Sequence, residues 1–144
     1  MIFKEQPKDF NKKVDVVGCY LEHNSKFLLL HRQEHKSQGG KWGVVAGKVE
    51  QDEKLHDAMV REMEEETGVL IKKENLDYFT KVYVRYSDVD FIYHMFCAKL
   101  KILPDIKIGY DEHKDFKWAS VQEALEMNLV DDLDECIKML YYAV

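Results

Sequence analysis

The chain has 144 residues, of which 46% are hydrophobic and 33% charged, and carries a formal charge of −6. This is enough apolar side chain for one packed core and too much for a disordered segment. The acidic balance argues against broad, sequence-blind binding to DNA or RNA phosphate, and apolar runs no longer than a strand exclude a helix across a bilayer.

The N-terminal stretch MIFKEQPKDFNKK mixes charges without an apolar segment, so it does not read as a secretory signal. It is expected to form an arm or edge segment. Val14–Leu21 and Lys26–His31 read as two strands, with Glu22-His23-Asn24-Ser25 as the turn. Arg32–Gly40 is a polar loop loosened by two glycines, and Trp42–Ala46 is a short apolar strand. A helix then runs from Leu55 to Glu66, with Gly68 placed as its left-handed C-terminal cap. Val69–Ile71 reads as a brief extended piece. Tyr78–Tyr86 and Phe91–Leu100 form a second hairpin turning at Ser87-Asp88-Val89-Asp90. Residues Phe91–Ala98 are apolar on both faces, which predicts a central strand covered on both sides. After a loop over Lys101–Asp111 come a strand at Lys114–Trp118 and a capping box at Ser120-Val-Gln-Glu123. A last helix carries Leu133, Cys136, Ile137 and Leu140 on one face, with Asp131-Asp132 as its cap. Strands in adjacent pairs, one long internal helix and closing helices predict a mixed α/β (α+β) sandwich in a single domain over 1–144.

Cys19, Cys97 and Cys136 lack metal-ligand spacing and fall in apolar patterns, so they read as buried free thiols. Cytoplasm is the expected compartment.

The chemistry is concentrated in Gly47–Val69, GKVEQDEKLHDAMVREMEEETGV. At 100° per residue, Leu55, Ala58 and Met59 fall within about 60° of Glu62, and so do Glu65 and Glu66. Three carboxylates therefore share or border the face that the apolar residues bury, whereas a merely solubilising acidic face would lie opposite. Two such charges about 5 Å apart repel by roughly 3 kcal/mol at an effective dielectric of about 20, and burial adds a desolvation cost. A divalent cation reverses that balance, and hard cations prefer carboxylate oxygen. The alternative is a surface helix in which Arg61 pairs with Asp57, Glu64 or Glu65.

A longer template decides between them. Gly47, Glu53, Arg61-Glu62-Met63, Glu65-Glu66 and Gly68-Val69 stand at the spacing G-x5-E-x7-R-E-U-x-E-E-x-G-U, U being apolar. Chance would give this in fewer than about one in a million windows. The stretch resembles the complete Nudix box, in the manner of a small single-domain MutT-type member. The resemblance implies a mixed β-sheet between helices, with the box as loop, helix and loop. It implies that Glu62, Glu65 and Glu66 hold divalent cations, Mg²⁺ or Mn²⁺. Arg61 matches the arginine that orients these acids, and Glu53 the acid that fixes that arginine. Glu112, six residues before Trp118, resembles a late-loop ligand or base, with Asp111 and His113 as competitors. Either Glu62 or Glu112 is then the general base, Glu62 being preferred. Arg32 and Lys48 resemble positions that touch substrate phosphate, and Asn128 one that reads a base edge. His94 is expected to pack in the core, and Tyr83 and Tyr93 either pack there, which is preferred, or stack a nucleobase. The family often has Gly-Gly at the box start, where the first residue offers its carbonyl to a metal. Here that residue is Ala46. Asp52 replaces another frequent glycine, and Val44-Val45 stand where leucine or isoleucine and proline are frequent.

The implied activity is metal-dependent hydrolysis of a phosphoanhydride bond in a nucleoside diphosphate-linked small molecule, foremost a nucleoside triphosphate cleaved to release pyrophosphate. ADP-ribose, dinucleoside polyphosphates and RNA 5′ ends are the alternative substrates. A non-catalytic nucleotide-sensing domain and an acidic protein-interaction helix are the alternatives of other classes. No DNA or membrane partner is expected, and the protein is expected to be a monomer or homodimer.

Overall fold

The computed structural model describes residues 1–142, so the last two positions of the expected domain lie outside the described residues. Eight strands make one mixed sheet: β1 (Ile2–Phe3), β2 (Lys12–His23), β3 (Lys26–Arg32), β4 (Trp42–Gly43), β5 (Val45–Lys48), β6 (Asp77–Tyr86), β7 (Val89–Lys99) and β8 (His113–Ala119). Their order is β1-β6-β7-β2-β3-β4, with β5 paired to β2 and β8 to β3. Strands β2 and β7 run parallel, while the other strand pairs are antiparallel. Helix α1 (Leu55–Thr67) covers one face, and α2 (Val121–Leu125) and α3 (Leu133–Tyr141) cover the other.

Period-two alternation along β2 and β3 separates two cores. Val17, Cys19, Leu21, Leu28 and Leu30 pack with Ala58, Met59 and Met63 of α1. Tyr20, Phe27 and Leu29 pack with Leu133, Cys136 and Ile137 of α3. Met59 and Met63 are fully buried, each contributing about 1.5–3 kcal/mol from apolar transfer. The expected sandwich is the observed fold, and β7 is its central strand, flanked by β2 and β6. Among the described residues no helix is long and apolar enough to cross a membrane.

Several boundaries differ from the sequence expectation, each for a physical reason. Both expected four-residue turns shrink to two residues, Asn24-Ser25 and Ser87-Asp88, whose φ angles of 49°, 64°, 48° and 64° suit the tight hairpin turns that match strand twist. Val69–Ile71 forms no strand. Val69 and Ile71 anchor in the α1-side core while Leu70 is exposed, but no neighbouring strand offers a ladder, and a 3₁₀ turn at Lys73–Asn75 follows. Asp132 does precede α3, but in the left-handed region (φ 68°) and without a side-chain cap.

The expected strand Trp42–Ala46 breaks in two, and this break positions the site. Strands β2 and β3 pair only at their hairpin end, Glu22↔Phe27 and His23↔Lys26. Beyond it they part: β2 takes β5 as partner at Val16–Cys19, and β3 takes β4 and β8. The chain crosses this split at Val44, between β4 and β5.

Candidate active site

Helix α1 buries Glu62 and Glu66, each only 8% exposed, beside Ala58, Met59 and Met63. Gly68 closes the helix in the left-handed conformation (φ 74°), its N–H donating to Glu64 O at 2.9 Å. The acids therefore share the apolar face, as the wheel predicts.

Arg61 gathers them. Its Nε and Nη2 donate to the two oxygens of Glu53 at 2.8 and 2.9 Å, a forked pair. Nη1 donates to Glu62 Oε1 at 2.8 Å and to Glu65 Oε2 at 3.3 Å. Nη2 also donates to the Lys48 carbonyl at 3.0 Å, tying the helix to β5. The fork from Arg61 holds the Glu53 carboxyl below its ordinary value. Glu62 is raised, burial outweighing the guanidinium beside it. Glu66 is pushed well above the carboxylate range, first by burial and then by the charge of Glu62. The Ala46 N–H donates to Glu66 Oε1 at 3.3 Å, opposing that shift.

Gly47 makes the approach possible. A Cβ built there would lie 2.0 Å from Glu62 Cδ and 2.3 Å from each of its oxygens. At Asp52 φ is 64°, which is the reason a glycine suits that position.

The loop before β8 faces these acids. Glu62, Glu65 and Glu66 line a cleft of about 200 Å³ together with Gly109, Asp111, Glu112 and His113. One guanidinium thus serves a strongly acidic cleft, and all-oxygen donors with a buried, mutually repelling pair suit Mg²⁺ or Mn²⁺. Among the described residues no three such groups already converge on a point. Glu65 accepts from Arg61 and Glu66 from the Ala46 N–H.

A second cavity of about 250 Å³ opens at the split of the sheet, floored by Val44, Phe91 and Tyr93 and bordered by Gln38, Asp131 and Asp132. The Asp131 N–H donates to Gln38 Oε1 at 2.6 Å, and the Gln38 amide nitrogen has no hydrogen-bond partner among the described residues. Arg32 lines this cavity with its Nε donating to Ser37 O at 2.7 Å. Ala46 also lines it, next to the acids. His113 is buried, and burial, then the nearby Arg32 charge, push its imidazole down to about 4, so it is neutral at pH 7.

The structure thus brings Glu53, Arg61, Glu62, Glu65, Glu66, Ala46 and Glu112 to one place, with Arg32 at the adjoining cavity. Lys48 has its side chain exposed and touches the site through its carbonyl. Asn128 is exposed, lines neither cavity, and acts through a carbonyl that accepts the Trp42 N–H at 2.8 Å. His94 is a packed residue between Asp15 Oδ1 and Tyr78 OH, both at 2.9 Å. Tyr83 stands edge-on to Phe10 with 5.2 Å between centroids, whereas Tyr93 lines the cavity. Sequence reasoning missed Gln38 and Asp132 as cavity residues, and for Tyr93 it preferred the core to the ligand-facing alternative. The one available signal was the Asp131-Asp132 pair, which reads equally well as a helix cap.

A loop-helix-loop of this geometry, anchored to a mixed sheet between helices, is the arrangement the box template implies. The family model described as NUDIX domain matches residues 12–140. The CTP pyrophosphohydrolase of Escherichia coli is 30% identical over 120 residues, covering 82% of this chain and 84% of that protein. The dihydroneopterin triphosphate diphosphatase of Haemophilus influenzae is 26% identical, covering 89% and 86%. The crystal structure of a MutT protein from Methanosarcina mazei superposes with a TM-score of 0.76 at 28% identity, covering 87% of this chain and 90% of the other. The chain belongs to the Nudix family of hydrolases.

Proposed function

We propose that this protein is a divalent-metal-dependent pyrophosphohydrolase of nucleoside triphosphates or closely similar heterocyclic triphosphates, releasing pyrophosphate and the monophosphate. The observation that carries the reading is a single cavity of about 250 Å³ beside the acidic cleft, with an apolar floor and a polar rim of Gln38, Asp131 and Asp132. This suits one heterocycle with hydrogen-bonding edges, held so that its phosphates reach the carboxylates. The names of the E. coli and H. influenzae relatives both describe triphosphates of that kind.

Glu62, Glu65, Glu66 and Glu112 are the residues that would hold Mg²⁺ or Mn²⁺. The bound cation neutralises phosphate oxygens and acidifies water. Glu62 accepts the proton of the attacking water, with Glu112 the competing base. Arg61 and Glu53 keep Glu62 oriented, and Arg32 offers positive charge to the phosphate chain.

The test is a panel of CTP, dCTP, GTP, dGTP, dihydroneopterin triphosphate, ADP-ribose and a dinucleoside tetraphosphate with Mg²⁺ or Mn²⁺, reading phosphate and pyrophosphate separately. The expected result is pyrophosphate from a triphosphate, reduced at least about 100-fold by Glu65→Gln or Glu66→Gln. Undiminished turnover in those variants, or preference for ADP-ribose or the tetraphosphate over every triphosphate, overturns the reading.

A further inference from the structure

The acidic cleft and the apolar cavity are separate volumes, and His113 is the one described residue that lines both. Its position follows from the start of β8, where it pairs with Arg32 at a register shift in the β3–β8 ladder. Such irregularities re-aim side chains at strand ends. His113 is only 4% exposed, yet its hydrogen bonds run through its backbone. Its N–H donates to Gly109 O at 3.1 Å, and its carbonyl accepts from Gln33 Nε2 at 3.5 Å. Neither ring nitrogen has a protein partner among the described residues. Nor is either sealed from solvent, the unpartnered sealed atoms being the Tyr20 and Tyr141 hydroxyls. A largely buried ring whose nitrogens have no protein partner yet stay open to solvent is placed for a ligand atom to take the position of a water.

We propose that His113 donates a hydrogen bond to the substrate phosphate nearest the sugar, at the point where the molecule passes from cavity to cleft. This rests on the functional reading above, because a base in the cavity and a scissile phosphoanhydride at the carboxylates leave the intervening phosphate beside His113. The chemistry suits that phosphate. Glu62, Glu65, Glu66, Asp111 and Glu112 repel a phosphate unless a cation intervenes, whereas an imidazole N–H donates to it directly. Arg32, the ladder neighbour of His113, adds a positive charge on the same side.

The experiment is isothermal titration in EDTA, so that metal binding plays no part. The probes are CMP against cytidine and GMP against guanosine, on the wild type, His113→Phe and His113→Gln. His113→Phe keeps the ring volume and loses the donor, while His113→Gln restores an N–H at similar reach. The expected result for His113→Phe is a loss of roughly 10- to 100-fold in monophosphate affinity, the range for a hydrogen bond to a charged group. Nucleoside affinity is expected to stay within about threefold, and His113→Gln to recover most of the loss. In turnover, KM is expected to rise more than kcat falls. Equal weakening of nucleoside and monophosphate makes His113 a packing residue and overturns the proposal. So does unchanged monophosphate affinity in His113→Phe, or a wild type that binds no monophosphate. Should His113→Phe fail to fold, His113→Leu against His113→Gln carries the same comparison. A wild type that hydrolyses no triphosphate sinks the functional reading. A wild type that hydrolyses one, while His113→Phe binds its monophosphate normally, sinks only this inference.

Discussion

Replacing Gly47 by alanine adds one methyl group, and the structure specifies what that methyl meets. The new Cβ would stand 2.0 Å from Glu62 Cδ, well inside the roughly 3.5–4.0 Å at which carbon atoms touch. The backbone itself is no obstacle, because Gly47 is not among the residues with positive φ. Alanine in a strand is even preferred to glycine by about 0.5–1 kcal/mol. The conflict falls on the Glu62 carboxyl, which must swing away by more than 1 Å and give up the 2.8 Å hydrogen bond from Arg61. Displacement of that size costs about 100-fold in rate when the moved group takes part in chemistry. That corresponds to about 2.7 kcal/mol of transition-state stabilisation. Stability is expected to fall by roughly 0.5–2.5 kcal/mol, because the lost charge-assisted bond, about 1.5–3 kcal/mol, is only partly offset by the gain of about 0.5–1 kcal/mol in strand propensity. The assay is a double-mutant cycle in kcat/KM over wild type, Gly47→Ala, Glu62→Gln and the double variant, with melting curves for all four. Gly47→Ala alone is expected to lose about two decades, and in the Glu62→Gln background to lose less than about threefold more. A variant that keeps wild-type kcat/KM refutes the reasoning. So does a full second loss in the Glu62→Gln background, because glycine would then act through something other than Glu62.

Three further outcomes follow from the same contacts. Arg61→Lys cannot fork to Glu53 while reaching Glu62 and the Lys48 carbonyl, so urea denaturation is expected to show a loss on the order of 2 kcal/mol together with reduced turnover; an unchanged midpoint would count against Arg61 as the organiser. Mn²⁺ at about one hundred times its Kd is expected to stabilise the fold by about 2.7 kcal/mol, and calorimetry on Glu66→Gln should show that gain shrink; equal gain in both proteins would place the cation elsewhere. Near the start of β7, the two hydrogen bonds from Arg85, with the Asn11 N–H, hold Asp90 down at about 2. Because the folded value lies below the unfolded one, its stabilisation is complete above about pH 4 and lost as pH falls towards 2. The difference in urea midpoint between wild type and Asp90→Asn is therefore expected to be large at pH 6 and to close in acid, with activity at neutral pH unchanged; a pH-independent difference would contradict the assignment.

What could be read from the sequence and what could not divide along one physical line. The α1 face, the Gly68 cap, the Ser120 capping box and the first strand pair are patterns within a dozen residues, and each appears in the structure as expected. So does the gathering of Arg61, Glu62, Glu65 and Glu66, which helical spacing nearly fixes, while Glu53, outside the helix, joins them as the box resemblance implies. The cavity is of another kind. Its lining draws on Val16, on Arg32 to Ala46, on Phe91 and Tyr93, on His113 and on Val130 to Cys136, segments that meet only because β2 and β3 separate after their hairpin end. Nothing local announces that separation: Trp42–Ala46 looks like one strand and becomes two, serving different partners. Backbone groups are equally silent in a sequence, so Lys48 and Asn128, singled out for their side chains, turn out to be joined to the structure through carbonyls. The same contrast explains the division of labour in the molecule. On the proposed function, the bond-breaking groups lie mostly on one helix, whose spacing the sequence writes directly, with Glu112 joining from the loop before β8. On the same reading, the groups that would choose the substrate border a gap between strands, and small changes in Gln38, Asp132 or the β4–β5 crossover would reshape that gap while α1 stays intact. Substrate choice is therefore expected to yield to substitutions around the cavity rim, and the hydrolytic step only to substitutions in the box and at Glu112.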